Sequence, residues 1–235
     1  MAQPEQSAVR NKLLRSLVPS EFAMLAPHLS TECIQLRELL VQPGQTIKQC
    51  FFVESGIVLV VAVRGKSRVE IGMIGREGLV GAAPVLLADG HSPYERYVLL
   101  PGDAFGISVA ALKEATETSP RLHRHLLCFV EALLVQVSET AHANAVLDLK
   151  SRLARWLLMC GDRMDGDELV CTHESLSTML GVQRSGLTLA IQSLEGAGLI
   201  RARRRHIIIR DRVKLEALTD GCYGFAEAEY RRLVG

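Results

Sequence analysis

Leu180-Gly181-Val182-Gln183-Arg184-Ser185-Gly186-Leu187-Thr188-Leu189-Ala190-Ile191-Gln192-Ser193-Leu194-Glu195 is the stretch from which the rest of the chain is read. Its apolar residues Leu187, Ile191 and Leu194 recur at i, i+4 and i+7, the period of a helix with one buried face. The opposite face carries Arg184, Ser185, Thr188 and Gln192, and the spacing of 184, 188 and 192 stacks three polar side chains along one line of the helix. Gly181 marks a tight turn before this helix. Ahead of the turn a short helix is expected, capped by Thr172 and with Glu174 in its first turn. Beyond Gly198, Ile200-Arg201-Ala202-Arg203-Arg204-Arg205-His206-Ile207-Ile208-Ile209-Arg210 reads as a small basic hairpin.

Helix, turn, helix and basic hairpin in this order outline a winged helix-turn-helix. The net charge of the chain is only +1, yet six arginines and one acid, Glu195, lie between Arg184 and Arg210. Such a local basic patch on a near-neutral chain points to nucleic acid. The expected DNA-facing set is Gln183, Arg184, Ser185, Thr188, Leu189 and Gln192 on the helix, with Arg203, Arg204 and Arg205 on the wing. Arg184 can donate two hydrogen bonds to a guanine edge, Ser185 and Thr188 reach a base or a phosphate, and Leu189 suits a thymine methyl. The wing arginines suit phosphates, which gives salt-dependent affinity without sequence information. Gly186, inside the first turn, lowers helix propensity by roughly 1 kcal/mol relative to alanine.

Working outward, the chain has 235 residues, 48% of them hydrophobic, which suffices for a full core in one large or two modest domains. The longest unbroken apolar run, Ile57 to Val63, is far too short for a membrane helix. The start, Met1-Ala2-Gln3-Pro4-Glu5, lacks the layout of a signal peptide, so a cytoplasmic protein with no membrane partner is expected. The six cysteines form no C-x-x-C pair, so neither a zinc site nor a disulfide framework is indicated. Met164 to Glu168 lacks the alternating oxygen ligands of a calcium loop and reads as a solvated turn. Gly72-x-x-Gly75-x-x-Gly78 is followed by no helix pattern and reads as turn chemistry rather than a dinucleotide loop.

In the N-terminal half, two short helices, around Asn11 to Leu17 and after Ser20 as N-cap, precede a series of extended runs. These are Ile34 to Val41, Phe51 to Val53, Ile57 to Val63, Val69 to Met73, Tyr94 to Leu100 and Ala104 to Ile107. Short strands at near-regular spacing, separated by turn signals, argue for an antiparallel jelly roll. Ser108 to Glu117 is a short helix, and Ser119 caps a much longer one that opens with Pro120. Along it Leu122, Leu126, Phe129, Leu133, Val137 and Thr140 alternate steps of three and four, the spacing of a dimer seam. The same stripe also fits a helix packed on its own sheet. Asp148 caps the next helix, which places boundaries between residues 118 and 119 and between 147 and 148.

The residues Phe52-Val53-Glu54-Ser55-Gly56-Ile57-Val58, the long helix after Ser119-Pro120, the Leu147-Asp148 hinge and Gly181 through Arg201 resemble the cyclic-AMP receptor protein/FNR (Crp/Fnr) superfamily of bacterial transcription regulators. The resemblance spans nearly the whole chain. It implies an α+β protein with an N-terminal double-stranded β-helix effector domain over residues 1–118, a dimerisation helix over 119–147 and a winged helix-turn-helix over 148–235. It also implies a homodimer on double-stranded DNA, with RNA polymerase as a further partner. The effector pocket would fall on Gly81, Ala82, Ser92 and Arg96. There the chain departs from the cyclic-nucleotide pattern: Ala82 stands where a glutamate follows the glycine, and Ser92-Pro93 where an arginine grips the phosphate. These departures argue against a cyclic nucleotide, and the missing cysteine cluster argues against an iron–sulfur cluster. The effector is left unknown. In the reading helix, Ser185 and Leu189 replace family positions, so a different target sequence is expected.

Two other classes compete with this one. A cupin-like metal enzyme needs convergent histidines, but of seven only His91 falls among the strands, and His123 and His125 point to different faces of a helix. No metal ligands and no catalytic residues are assigned, and no enzyme is expected. A sensor that works through protein contacts alone fits poorly with the basic wing.

Overall fold

The computed structural model describes residues 3–235; Met1 and Ala2, the beginning of the stretch read for a leader, lie outside them. Helices α1 (Lys12–Arg15) and α2 (Pro19–Leu25) lead into strands β1 (Ser30–Ile34), β2 (Leu39–Val41), β3 (Gln49–Val53), β4 (Ile57–Arg64), β5 (Ser67–Ile74) and β6 (Leu79–Val80). Helix α3 (Ala82–Leu87) precedes β7 (Glu95–Leu100) and β8 (Gly102–Ser108). Then come α4 (Val109–Thr118), α5 (Pro120–Val146) and α6 (Leu149–Gly161), followed by β9 (Glu168–Val170), α7 (His173–Met179), α8 (Arg184–Gly196), β10 (Ile200–Arg203), β11 (His206–Ile209), α9 (Arg212–Ala217) and α10 (Phe225–Leu233).

The first eight strands form two antiparallel sheets, in the orders β1-β8-β3-β6 and β2-β7-β4-β5. Their inner faces share one core: Phe52, Ala104 and Ile107 from one sheet meet Val58, Val60 and Val98 from the other. This is the jelly roll expected. Two readings are corrected. Ile34 to Val41 is not one strand, because Arg37 takes a left-handed φ of 70° and the Glu38 carboxylate accepts the Gln35 N–H, turning the chain from one sheet to the other. Ser20 does not cap α2; Val18 does, with Pro19 at the first helical position, where its missing N–H costs nothing. The other caps are as read: Ser119 accepts from Leu122, Asp148 from Ser151, and Thr172 and Ser175 form a capping box. Helices α3, α9 and α10 carry no clear sequence signal.

The run Ile57 to Val61 is buried throughout. Alternate residues of a strand point to opposite faces, so a run without polar alternation is covered on both sides. Val58 and Val60 face the interior of the roll, while Ile57, Leu59 and Val61 join a second core with Leu153, Leu157 and Leu158 of α6. The C-terminal half is therefore seated on the outer face of the sheet by apolar contact, not only tethered through Asp148.

Gly75 and Gly78 bound a turn as read, the Gly78 N–H donating to the Gly75 carbonyl at 3.0 Å, whereas Gly72 lies within β5; all three are also sites of close approach. A Cβ at Gly72 would lie 3.2 Å from Val137, at Gly75 2.6 Å from Arg163, and at Gly78 2.5 Å from Phe129. None of the three has a positive φ, so the glycines supply room for α5 and the end of α6 rather than backbone freedom.

The long helix brings a further correction. Leu122, Leu126, Phe129 and Thr140 are buried within the same chain, and Leu133 and Val137 are half-buried, so most of the expected seam is spent on the roll. The helix is apolar on a second side as well. Leu134 is 57% exposed, and Leu127, Val130 and Val135 are half-buried. Two apolar faces let a heptad be drawn through either, and the sequence favours neither. The last helix, α10, returns to this region: Tyr230 and Leu233 pack on the first core, Val234 lies within it, and Tyr230 Oη donates to the Glu77 carbonyl at 2.8 Å.

Candidate nucleic-acid interface

The turn between α7 and α8 is closed by backbone hydrogen bonds from Gly181 to Thr178 and from Val182 to Ser177. Gly181 has a φ of 65°, a left-handed conformation that glycine adopts without a Cβ penalty. Helix α8 buries Leu187, Ala190, Ile191 and Leu194 and so holds its other face outward. On that face Gln183, Arg184, Ser185, Leu189 and Gln192 are exposed and Thr188 is half-buried. Leu189 is 67% exposed, an apolar tip among polar neighbours. Gln183 makes no capping bond, which leaves its amide and the first-turn N–H groups turned outward. Thr188 Oγ donates to the Arg184 carbonyl at 2.9 Å, so this hydroxyl faces a ligand as an acceptor. A Cβ at Gly186 would make an ordinary 3.4 Å contact with Leu149; nothing in the structure demands glycine there.

The wing is the hairpin β10–β11, with β9 as third strand. Arg203 pairs with His206 across a two-residue turn, which puts Arg204 and Arg205 at its tip. Arg205 has a φ of 65°, costly for a residue with a side chain, and its carbonyl accepts the Cys171 N–H at 2.9 Å. Arg203, Arg204 and Arg205 are exposed, and so is Arg201, a further member of the basic patch that lies outside the expected DNA-facing set. Alternation along β10 points Arg201 and Arg203 to the same side. The single acid of the patch, Glu195, accepts the Ala202 N–H at 2.8 Å, so it ties the end of α8 to the wing. Arg204→Ala is expected to weaken binding to all DNA sequences alike and to lower the slope of log affinity against log salt by about 1, measured by fluorescence anisotropy over a salt series.

The expected effector residues come together only in part. Ser92 and Arg96 are buried in the roll, with an Arg96 guanidinium nitrogen 3.5 Å from Ser92 Oγ and 3.3 Å from the carbonyls of Tyr94 and Glu95. No carboxylate pairs with it, and burial pulls its pKa down to about 10. Gly81 opens α3 with a φ of 89°, and Ala82 is buried at the start of that helix. A separate cavity of about 450 Å³ lies between α5, α10 and the end of α6. Its charged lining is largely internally paired, Arg163 with Glu77 and Arg212 with Asp162. Cys50, Cys160 and Cys171 are buried with their thiols pushed up by desolvation, Cys50 and Cys171 to about 12, which keeps them unreactive. Among the described residues no three His, Cys, Asp or Glu side chains converge as metal ligands.

A jelly roll, a long helix and an open winged helix-turn-helix follow one another in that order on one chain. Residues 151–218 match the family described as the Crp-like helix-turn-helix domain. The whole fold is that of solved Crp/Fnr proteins. A putative transcriptional regulator of the Crp/Fnr family from Eubacterium rectale superposes with a TM-score of 0.70 at 17% identity, covering 89% of this chain and 98% of that one. FixK2 from Bradyrhizobium japonicum gives 0.69 at 14% identity, covering 81% and 96%. The c-di-GMP responsive global regulator CLP of Xanthomonas campestris gives 0.65 at 18%, covering 82% and 99%. No curated protein sequence matches the chain.

Proposed function

We propose that the protein is a homodimeric regulator that reads a two-fold-related DNA site in the cytoplasm under control of a signal at the jelly roll. One observation carries the DNA reading: the polar face of α8 is open along its whole length beside a wing tipped with Arg203, Arg204 and Arg205. Residues 1–118 sense, 119–147 pair two copies, and 148–235 read DNA, with α10 returning as a brace on α5. Pairing uses the second side of α5, through Leu127, Val130, Leu134 and Ala141, a 3-4-7 spacing that suits a helix pair. An 18-residue window of this helix has a mean hydropathy of 1.3 but is only 33% buried in the single chain, which a second copy would cover. Two reading helices would then enter successive major grooves about 34 Å apart, where RNA polymerase is the partner at a promoter. The effector acts through its preference for one arrangement of the dimer.

Leu134→Glu is expected to convert the dimer to monomer at micromolar concentration, read by sedimentation or light scattering, with thermal stability of the monomer unit retained. Wild-type protein that elutes as a monomer overturns the pairing. Selection of genomic fragments by the purified protein tests DNA binding directly.

A further inference from the structure

Glu70 lies on the outer face of β5, opposite Val61 of β4, where the sheet meets α5, α6 and α7. It is 5% exposed. A void of about 20 Å³ adjoins it, lined also by Thr140 and Asn144 of α5, Arg152, Arg155 and Trp156 of α6, and Leu180 at the end of α7. Three buried polar atoms here have no hydrogen-bond partner in the protein: Glu70 Oε1, Arg152 Nε and Trp156 Nε1. The charges are arranged unevenly. Arg155 spends its Nε on the Cys222 carbonyl at 2.7 Å and another nitrogen on Thr140 Oγ at 3.2 Å, and Arg152 reaches the Leu180 carbonyl at 2.8 Å. Both guanidinium groups thus tie elements of the joint together, yet neither hydrogen-bonds the carboxylate between them.

We propose that Glu70 is a proton-binding site at the joint between the jelly roll and the C-terminal domain, and that its protonation sets how firmly α6 and α7 are seated on the sheet. A charged carboxylate without hydrogen-bonded compensation is costly to bury, whereas the neutral acid can donate a proton and is tolerated. From α6 and the residues after it, Arg155, the Trp156 indole N–H and Arg163 favour the charged form, with Arg152 on the same side and the Cys160 thiol nearby. The residues facing Glu70 from α5, α7 and β4 carry no charge; Glu139 acts on Arg155, and Glu227 on Arg155 and Arg163. Burial outweighs the arginines and holds the carboxyl up near 7.

The sign follows. A carboxyl whose seated pKa is raised favours the seated state while protonated, and that contribution is lost as pH rises through the raised value. With the seated group titrating near 7 and a released one at the ordinary 4.5, seating is about tenfold tighter at pH 6 than at pH 8. The joint operates whether or not the domain reads DNA; only its use in regulation rests on that function.

Trp156 is the only tryptophan of the chain, is 3% exposed and borders Glu70, so its emission reports the joint. The test titrates the emission of the full-length protein from pH 5.5 to 8.5. The expected result is a transition near pH 7 in the wild type that is absent in Glu70→Gln, the uncharged isostere. Thermal melts supply the second reading: Glu70→Gln melts above the wild type at pH 8, and the gap narrows steadily as pH falls to 5.5. A transition that persists in Glu70→Gln, or a melting difference independent of pH, overturns the proposal.

Discussion

Phe129→Ala is expected to cost about 3–5 kcal/mol of stability, a loss on the order of 10 °C in Tm for a chain of this size, measured by calorimetry. The ring is 2% exposed and rests against Gly78, where a Cβ would come within 2.5 Å of it. Removing it opens a cavity between α5 and the roll at the point where the helix is held closest. Gly78→Ala attacks the same contact from the other side by overpacking, for about 1–3 kcal/mol. Because the two sites share one contact, the double variant should lose clearly less than the sum of the single losses. Simple additivity would show that Gly78 does not serve as the seat for Phe129.

Arg184→Ala should cost about 1–3 kcal/mol of discrimination at one position of each half-site while leaving the fold intact. Arg184 is exposed at the first turn of α8, at the edge of its polar face and outside the buried set Leu187, Ala190, Ile191 and Leu194, so nothing of the core depends on it. Competition binding with a panel of single-base variants of the selected site measures the loss. The contrast with Arg204→Ala separates base reading from phosphate contact: the first changes which sequence is preferred, the second how tightly every sequence is held. An Arg184→Ala protein with unchanged affinity and unchanged preference would remove α8 from the reading role.

Much of this was legible in the sequence where the cause is local. The caps at Ser119, Asp148 and Thr172 depend on a side chain three residues from its partner, and the open face of α8 follows from one helical period. The first sheet core follows from strand alternation. Features set by distant parts of the chain were not legible. Helix α5 is apolar on two sides, and only the roll decides which side is spent within the chain. The turn at Gly75 to Gly78 is local and legible, but the close approaches at Gly72, Gly75 and Gly78 are not, because the residues that crowd them, Val137, Arg163 and Phe129, lie 50 to 90 positions away. The uninterrupted run at Ile57 did carry a signal: it announced burial on both faces, but not that α6 supplies the second cover. Glu70 carried none, since a glutamate on a strand ordinarily faces water.

The seating of α6 on β4 also bears on control. Under the proposed function, a signal that altered the inner face of the roll would act on a sheet whose outer face is the floor of the C-terminal domain, with the buried Glu70 carboxylate beside the shared apolar core. Glu70 is proposed above to set the balance between a seated and a released arrangement of this contact, and two such arrangements are what a coupling element requires.

Selection and sequencing of genomic fragments bound by the purified full-length protein tests the central claim most directly. The account predicts enrichment of one motif made of two inverted half-sites, their centres one helical turn or about 10 base pairs apart, with a guanine contacted in each half that ceases to matter for Arg184→Ala. Fragments retained without any common motif, or a motif lacking two-fold symmetry, would contradict it.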